Sequence, residues 1–216
     1  KCDTRLEVIV TLNVPESLDL DPGKYPFPVT IINNDIRKGF GANHNAAFRR
    51  ACGEYFCVVN PDVRLEMDPF PPLVRDLAEN SIGVLAPLIV NPAGTVEDSA
   101  RRFPTPWSIV SKALAGQRGP DYQVAHELIF PEWVAGMFMV FRAEVYRRFE
   151  GFNESYFLYY EDVDLCWRLC RGGLRCALQP LAKVTHDARR TSHGNLRYLS
   201  WHLRSMLRFF LTRAMG

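Results

Sequence analysis

Short β-rich runs alternate with helical patterns along the 216-residue chain, and this alternation constrains the fold more than any other feature. The predicted strands are LEVIVTLN, VTIINN, EYFCVVN, SIGVLAPLIV, WVAGMFMVFR and RCALQPLAKVTH. The helices predicted between them are NHNAAFRRAC, DPFPPLVRDLAEN, RAEVYRRF and DVDLCWRLCR. Such alternation predicts an α/β fold in which helices flank a mostly parallel sheet.

Composition limits the classes of function. Hydrophobic residues at 47% and charged residues at 23% are typical of a soluble globular protein, and a formal charge of +2 gives no general attraction for nucleic acid. The six cysteines form no C-x-x-C pair, which favours buried free thiols and a cytoplasmic location. No apolar run approaches the ~20 residues that span a bilayer.

Two stretches fall outside the regular alternation. From residue 91 to 132 the pattern weakens into a long insertion with one candidate helix, SIVSKALAG, and such segments are often binding loops or lids. The final stretch, NLRYLSWHLRSMLRFFLTR, predicts an amphipathic helix with interspersed arginines. The favoured interpretation is a domain over residues 1–190 with a helical extension over 191–216 packed on it. A peripheral contact with the inner membrane surface and a homodimer contact are the alternatives.

Two metal-capable side chains follow predicted strands. Asp62 comes after a buried strand in an Asn-Pro-Asp turn, and His186 closes the last strand. Ligands of open α/β sheets bind at the carboxyl ends of strands, and an Asn-x-Asp pair suits a divalent cation and a ribose hydroxyl. Taken singly, a local turn and a structural histidine are the commoner interpretations. If the two residues belong to one functional site, we expect them to converge with the acidic cluster at 161–164 on one edge of the sheet.

That acidic cluster places Glu161, Asp162 and Asp164 at the start of a predicted helix. Carboxylates in a first helical turn offset the positive end of the helix and accept hydrogen bonds from its free N–H groups. From this stretch alone, helix capping and catalysis remain equally good interpretations.

A glycine-rich turn precedes the first long helix. Gly39 and Gly41 let the backbone approach a ligand closely, and the N–H groups at the helix start favour an anion. His44 occupies the position where a dinucleotide-binding motif needs glycine or alanine, which argues against a dehydrogenase.

Three blocks carry a family resemblance: KGFGANHNAAFRRACGEYFCVVNPDVRL, WVAGMFMVFRAEVYRRFEGFNESYFLYYEDVDLCWRL and VTHDARRTSHGNLRYLSWHLRS. Together they resemble a family-two glycosyltransferase of the GT-A type, and most closely the rhamnosyltransferase-like bacterial members that act on cell-surface polysaccharides. The resemblance implies a GT-A-like fold. It also implies that the family's first strand and helix, on the order of 30 residues, are missing before the first residue of this chain.

The resemblance implies an inverting transfer of a sugar, with rhamnose as the first candidate, from a nucleotide-diphosphate donor to a glycan or lipid-linked acceptor. Asp162 matches the general base, and Glu161 would orient it or the acceptor. Asp62 and His186 match ligands of Mg²⁺ or Mn²⁺, and Asn60 replaces the first aspartate of the family's D-x-D signature. The residues assigned to the donor are Asn13, Lys38, Gly39, Gly41, Asn45, Asn60 and Asp62.

Further substrate contacts are assigned around the insertion. Gly136 would allow a ligand to approach its strand, Trp133 would offer an aromatic face to a sugar, and Arg101 and Arg102 would meet phosphate. Core packing for Trp133 and a solvated loop for the arginines are the alternatives. Arg190, Ser192 and His193 are further candidates near the diphosphate. The competing functions are nucleotidyl transfer and a binding module that has lost catalysis.

Overall fold

The computed structural model describes residues 5–14, 20–115, 119–187 and 196–215. The strands are β1 (Val8–Leu12), β2 (Val29–Asn33), β3 (Tyr55–Val59), β4 (Val63–Arg64), β5 (Ile82–Val90), β6 (Ala100–Arg101), β7 (Trp133–Val134), β8 (Phe138–Arg142) and β9 (Arg175–His186). The helices are α1 (Phe40–Phe48), α2 (Phe70–Leu77), α3 (Pro106–Ala115), α4 (Ala143–Arg148), α5 (Glu161–Arg171) and α6 (Leu196–Met215), with a short 3₁₀ turn at Pro22–Lys24.

The predicted strands and helices are confirmed, with three differences in detail. Helix α1 begins at Phe40, three residues earlier than its pattern indicated. The run WVAGMFMVFR is divided into β7 and β8, because Gly136 and Met137 form a turn. The two-residue strands β4 and β6 were not predicted, since so short a run carries no periodicity.

The chain forms two compact units. The first comprises Lys1–Phe56, Arg142–Leu165 and Arg190–Gly216, and the second comprises Cys57–Phe141 and Cys166–Arg189. The contacts therefore group α6 with the first unit. The division at residue 190, which the sequence suggested, stays a prediction.

The first unit is built on a parallel pair of strands and an aromatic core. Strand β1 pairs with β2, Val8 lying opposite Val29. The Phe48 ring lies 5.0 Å from that of Phe56 and 4.7 Å from that of Tyr146, and Tyr146 in turn lies 5.8 Å from Phe152. Aromatic pairs at such distances contribute about 0.5–1.5 kcal/mol each beyond burial, so this cluster joins α1 to the segment that follows α4.

The second unit holds most of a five-stranded sheet in the order β3-β8-β5-β9-β4. Strands β5 and β9 run parallel, and β5 is buried along nearly its whole length, as expected of an apolar run covered on both faces. Helix α2 packs against β5 and β9 through the fully buried Leu73 and Leu77.

The predicted α/β class is confirmed, and the sheet differs from the expected mostly parallel one because β8 and β4 join it antiparallel. In the described ranges, no helix has the length and apolar character needed to cross a membrane.

Candidate active site

Strand pairing brings Asp62 to His186. The turn after β3 is closed by the N–H of Val63, which donates to the Asn60 carbonyl at 3.1 Å. Strand β4 then sets Val63 opposite His186, and the Asp187 N–H donates to the Asp62 carbonyl at 2.9 Å. As a result, His186 Nε2 lies 3.3 Å from Asp62 Oδ1.

Glu97 holds the other side of the histidine ring. Its Oε2 lies 2.8 Å from His186 Nδ1, and its own N–H donates to the Ile89 carbonyl at 2.9 Å in a reversal that follows β5. A carboxylate only accepts hydrogen bonds, so Nδ1 carries the proton that Glu97 receives, and a ring protonated on Nδ1 alone presents its Nε2 lone pair on the Asp62 side. A carboxylate behind a histidine is the usual means of orienting a metal-binding imidazole.

The geometry fits a divalent cation. Asp62 Oδ1 is buried and has no hydrogen-bond partner among the described residues, although the Nε2 of His186 lies next to it. Ligands at right angles around Mg²⁺ are about 3 Å apart, close to the 3.3 Å found here. Within the part of the chain that the structure describes, no three His, Cys, Asp or Glu side chains are placed to hold a metal together. The chain thus offers two ligands, as at sites where phosphates and water complete the coordination.

The acidic cluster lies in the first unit, where α5 begins after two strained residues. Tyr159 and Tyr160 have φ values of +69° and +68°, a conformation that costs a non-glycine residue about 1–3 kcal/mol. Both rings lie 5.4 Å from the His202 ring, and Ser205 Oγ donates to the Leu158 carbonyl at 2.9 Å. Helix α6 therefore stabilises the strained entry into α5.

Burial decides the charge state of Glu161. Glu161 is only 4% exposed, and its Oε2 has no hydrogen-bond partner within the described ranges. Burial, and then the negative charge of Asp162, raise the pKa of Glu161 to about 8. Burial thus outweighs the backbone hydrogen bonds that lower this pKa. The half-buried Asp162 accepts a hydrogen bond from the Val163 N–H at 2.8 Å.

Asn13 organises the loop before α1. Its Oδ1 accepts from the Lys38 N–H at 2.9 Å, and its Nδ2 donates to the Lys38 carbonyl at 3.0 Å. Asn34 donates to Asn13 at 3.1 Å and to Asn43 at 2.8 Å. The two predicted donor residues, Asn13 and Lys38, are therefore fixed to each other by an asparagine network.

Asn45 makes four hydrogen bonds within the chain, which favour a structural role over the predicted contact with the donor. Its Nδ2 donates to the Phe152 carbonyl at 2.8 Å and to Glu154 at 3.0 Å. Its Oδ1 accepts from the Tyr146 hydroxyl at 2.7 Å and from the Phe152 N–H at 3.0 Å. These four bonds use both amide hydrogens and both oxygen lone pairs, which leaves none for a ligand.

The two glycines of the turn pack closely against other residues of the chain. A Cβ on Gly39 would lie 2.7 Å from the Phe157 carbonyl oxygen, and one on Gly41 would lie 2.7 Å from Phe152 Cβ. The Phe40 N–H donates to the same Phe157 carbonyl at 2.9 Å. The lack of a side chain at Gly39 and Gly41 thus allows α1 to pack against residues 152–157. The sequence suggested instead that it allows a ligand to approach the backbone.

Trp133 is a packed residue. It is 9% exposed, its Nε1 donates to the Arg102 carbonyl at 2.9 Å, and the Arg101 guanidinium lies 5.6 Å from its ring centroid. Arg101 also contacts Asp98 at 3.0 Å. Of the two interpretations open at the sequence level, core packing is the one that these contacts favour for Trp133.

The remaining predicted residues are placed as follows. The Arg102 guanidinium lies 6.0 Å from the Tyr122 ring centroid, and Gly136 is half-buried in the turn between β7 and β8. The Asn60 N–H donates to the carbonyl of Met137 at 2.9 Å, so Asn60 and Gly136 are close neighbours. Arg190, Ser192 and His193 lie outside the described residues.

Comparison with protein families assigns the chain. Residues 18–144 match the model of Glycosyl transferase family 2. The chain belongs to this family. This family 2 glycosyltransferase is 29% identical to rhamnosyltransferase WbbL of Escherichia coli strain K12, over 79% of this chain and 69% of the relative. It is 30% identical to the N-acetylglucosaminyl-diphospho-decaprenol L-rhamnosyltransferase of Mycobacterium tuberculosis strain H37Rv, over 76% of this chain and 57% of the relative's length.

Solved structures confirm the GT-A-like fold of this family 2 glycosyltransferase. GalNAc-T7, solved with UDP, GalNAc and Mn²⁺, matches with a TM-score of 0.70 at 15% identity, over 94% of this chain and 41% of its own. The mannosyltransferase PcManGT of Pyrobaculum calidifontis, solved with GDP-Man and Mn²⁺, matches with a TM-score of 0.58 at 15% identity, over 88% and 58%. The resemblance stated from the sequence is thereby confirmed at the level of family and fold.

Sequence reasoning missed three residues that organise this family 2 glycosyltransferase. Glu97 lies in the insertion, where no periodic pattern indicated that it would reach His186. Asn34 and Asn43 complete the network around Asn13. A signal for Asn34 was available, because it directly follows β2 and polar residues at strand ends are candidates for a site.

Proposed function

We propose that the chain is the catalytic part of a metal-dependent, inverting glycosyltransferase that uses a nucleotide-diphosphate sugar. The observation that carries this proposal is the arrangement of Asp62, His186 and Glu97. A buried carboxylate oxygen of Asp62, which accepts no hydrogen bond from any residue that the structure describes, lies beside an imidazole that a second carboxylate orients. Family membership supports the class of reaction, and two structural relatives contain Mn²⁺ with a nucleotide or nucleotide sugar.

Asp62 and His186 are the residues proposed to hold Mg²⁺ or Mn²⁺. Glu97 keeps the proton on Nδ1 and fixes the ring, so that the Nε2 lone pair stays available. The bound cation supplies Lewis acidity that offsets charge on a departing diphosphate. Asn60 is proposed to contact the donor, since its backbone is anchored to Met137 and its side chain precedes Asp62 in the same turn.

Asp162 is proposed as the general base. An inverting transfer is a single displacement, so a carboxylate must accept the proton of the acceptor hydroxyl as that oxygen attacks the anomeric carbon. Glu161 supports this assignment because its raised pKa, about 8, keeps it mostly protonated at neutral pH. A neutral Glu161 adds no second negative charge beside the acceptor and can donate a hydrogen bond that orients Asp162 or the acceptor.

Rhamnose from a dTDP donor is the proposed sugar, and a cell-surface glycan or lipid-linked saccharide is the proposed acceptor. The support is the pair of rhamnosyltransferases among the relatives. Asn13 and the Lys38 backbone, which two hydrogen bonds join, are the proposed donor-binding element of the first unit.

The decisive experiment is calorimetric titration of the chain with dTDP and with UDP, each with and without Mn²⁺. Metal-dependent binding is expected, and Asp62→Asn should abolish its metal dependence. Asp187→Asn is the matched control, because that carboxylate follows His186 directly but contacts Arg64, at 2.6 Å. Equal metal-dependent binding by Asp62→Asn and wild type would overturn the assignment.

With dTDP-rhamnose and an acceptor, the anomeric configuration of the product, read by NMR, tests inversion.

A further inference from the structure

Helix α6 has an inner face that packs on its own unit. Ser205 and Phe209 are buried, and Phe209 lies 5.6 Å from the Tyr160 ring. Trp201 lies 4.7 Å from the Phe157 ring. The position of the helix is therefore set by these contacts, which leaves its opposite face outward.

The outward face carries a row of leucines that nothing in the described structure covers. We call Leu196, Leu199, Leu203, Leu207 and Leu211 the leucine stripe; each is between 48% and 82% exposed. Their spacing of three or four residues places them along one side of the helix. Singly exposed leucines are normal on a surface, but a continuous stripe marks an interaction surface.

The charges of α6 have one sign. Over residues 196–215 the sequence contains four arginines, Arg197, Arg204, Arg208 and Arg213, and no aspartate or glutamate. Arg204 and Arg208 are exposed and line a groove of about 710 Å³ together with Phe157, Trp201 and two leucines of the stripe. Among the residues that the structure describes, no carboxylate forms an ion pair with either arginine. The apolar stripe is thus bordered by positively charged side chains.

We propose that α6 binds the surface of an anionic phospholipid bilayer. The leucine stripe enters the interfacial region, while the long side chains of Arg204 and Arg208 extend to lipid phosphates at its border. Charge complementarity selects this occupant, because anionic lipids attract basic side chains near the surface. A symmetric dimer through the same face would instead bring two helices of like charge together, since each copy presents the same patch.

The test is flotation of the whole chain with vesicles of phosphatidylcholine alone and of phosphatidylcholine mixed with phosphatidylglycerol. Strong binding is expected only to the mixed vesicles, and it should weaken with added salt. The double variant Arg204→Gln/Arg208→Gln should lower the partition coefficient about 30-fold, at about fivefold per arginine. Leu203→Gln/Leu207→Gln should lower it by at least tenfold, on the order of the loss expected when two leucines leave the interface.

Matched controls distinguish the effect of changing the α6 surface from the effect of removing two leucines or two arginines anywhere in the chain. Leu65→Gln/Leu181→Gln replaces two leucines of similar exposure outside α6, 49% and 60%, and should bind like wild type. Arg50→Gln/Arg148→Gln removes the same charge elsewhere in the first unit and should lower binding much less. Circular dichroism and thermal unfolding check that each variant is folded. Absence of binding to mixed vesicles, or equal binding by folded stripe variants, overturns the proposal. A dimer seen by light scattering that the leucine variant abolishes, without lipid binding, also overturns it.

Discussion

Nε2 of His186 lies 3.3 Å from Oδ1 of Asp62, because the antiparallel pairing of β4 with β9 sets Val63 opposite His186. The two side chains come from distant parts of the sequence, yet a two-residue strand is enough to fix their separation. Glu97 then constrains the ring from the other side, at 2.8 Å from Nδ1. Backbone pairing thus places the two proposed ligands, and the orienting carboxylate comes from the insertion.

Glu97→Gln should weaken metal binding without unfolding the chain. Glutamine keeps the shape but is a weaker acceptor for the Nδ1 proton, and its amide can donate instead, which favours the wrong tautomer of His186. Loss of such an orienting carboxylate typically costs about 10- to 100-fold in metal affinity. Mn²⁺ is added to the protein in the presence of nucleotide, and electron paramagnetic resonance follows the concentration of free Mn²⁺. The titration curve gives the metal affinity.

Glu66→Gln is the control for this substitution. The Glu66 carboxylate accepts a hydrogen bond from Thr185 Oγ1 at 2.9 Å, one residue from His186, but does not orient the imidazole. The Glu66→Gln variant should therefore bind Mn²⁺ nearly as wild type does. Equal weakening by both variants would attribute the effect to general electrostatics and would contradict the orienting role of Glu97.

Stability should fall with rising pH because of Glu161. Its pKa is about 8 in the folded protein, against an ordinary value of 4.5, so between these values the folded protein retains a proton that the unfolded chain releases. The free energy of unfolding therefore decreases as pH rises through this window, by up to about 4 to 5 kcal/mol for this group alone. Below the window the contribution is fully present, and above pH 8 it has been lost.

Glu161→Gln removes this titration, since glutamine resembles the protonated acid at every pH. Urea unfolding near pH 5 and near pH 8 should show a smaller loss of stability for the variant than for wild type. Glu144→Gln, a substitution at a side chain that is 74% exposed, should follow wild type. Parallel curves for wild type and Glu161→Gln would show that Glu161 is not held protonated.

The sequence allowed part of the candidate site to be predicted. Asp62 and His186 each follow a strong strand pattern, and the rule that ligands bind at strand ends selects them. Glu97 could not be found in this way, because its position depends on a reversal after β5 that carries no periodic signal. The predicted convergence of the acidic cluster with Asp62 and His186 stays a prediction.

Local patterns also could not show what the residues around α1 contact. A glycine turn before a helix is typical of an anion site, and this pattern assigns Gly39 and Gly41 to the donor, whereas the family resemblance assigns Asn45. Their contacts are with residues 152–157, more than a hundred positions later in the chain, and such pairings are invisible to local propensity. The left-handed conformations of Tyr159 and Tyr160 were equally unpredictable, since nothing in their residue type favours a positive φ.

Asp162→Asn should reduce sugar transfer and leave nucleotide binding unchanged. The amide is nearly the same size as the carboxylate but cannot accept a proton from the acceptor, and loss of a general base typically lowers the rate about 10²- to 10⁴-fold. Product formation under saturating donor gives the rate, and calorimetry gives the nucleotide affinity. Asp35→Asn, which removes the same charge at an exposed position of the first unit, should transfer at the wild-type rate. Full transfer by Asp162→Asn would exclude it as the base.

Gly39→Ala should destabilise the protein through a steric clash alone. Gly39 has φ −70°, which alanine adopts freely, so no backbone strain is added. The new Cβ would lie 2.7 Å from the Phe157 carbonyl oxygen and 2.9 Å from its Cα, and these backbone atoms cannot move as a flexible side chain would. Overpacking of this kind costs about 1–3 kcal/mol, which urea unfolding at a fixed pH measures. Gly119→Ala is the control, since its Cβ would meet no atom of the described residues within 4 Å, and its stability should match wild type within error. If Gly39→Ala were as stable as the control, α1 would not be packed against Phe157, and the turn would again be open for a ligand.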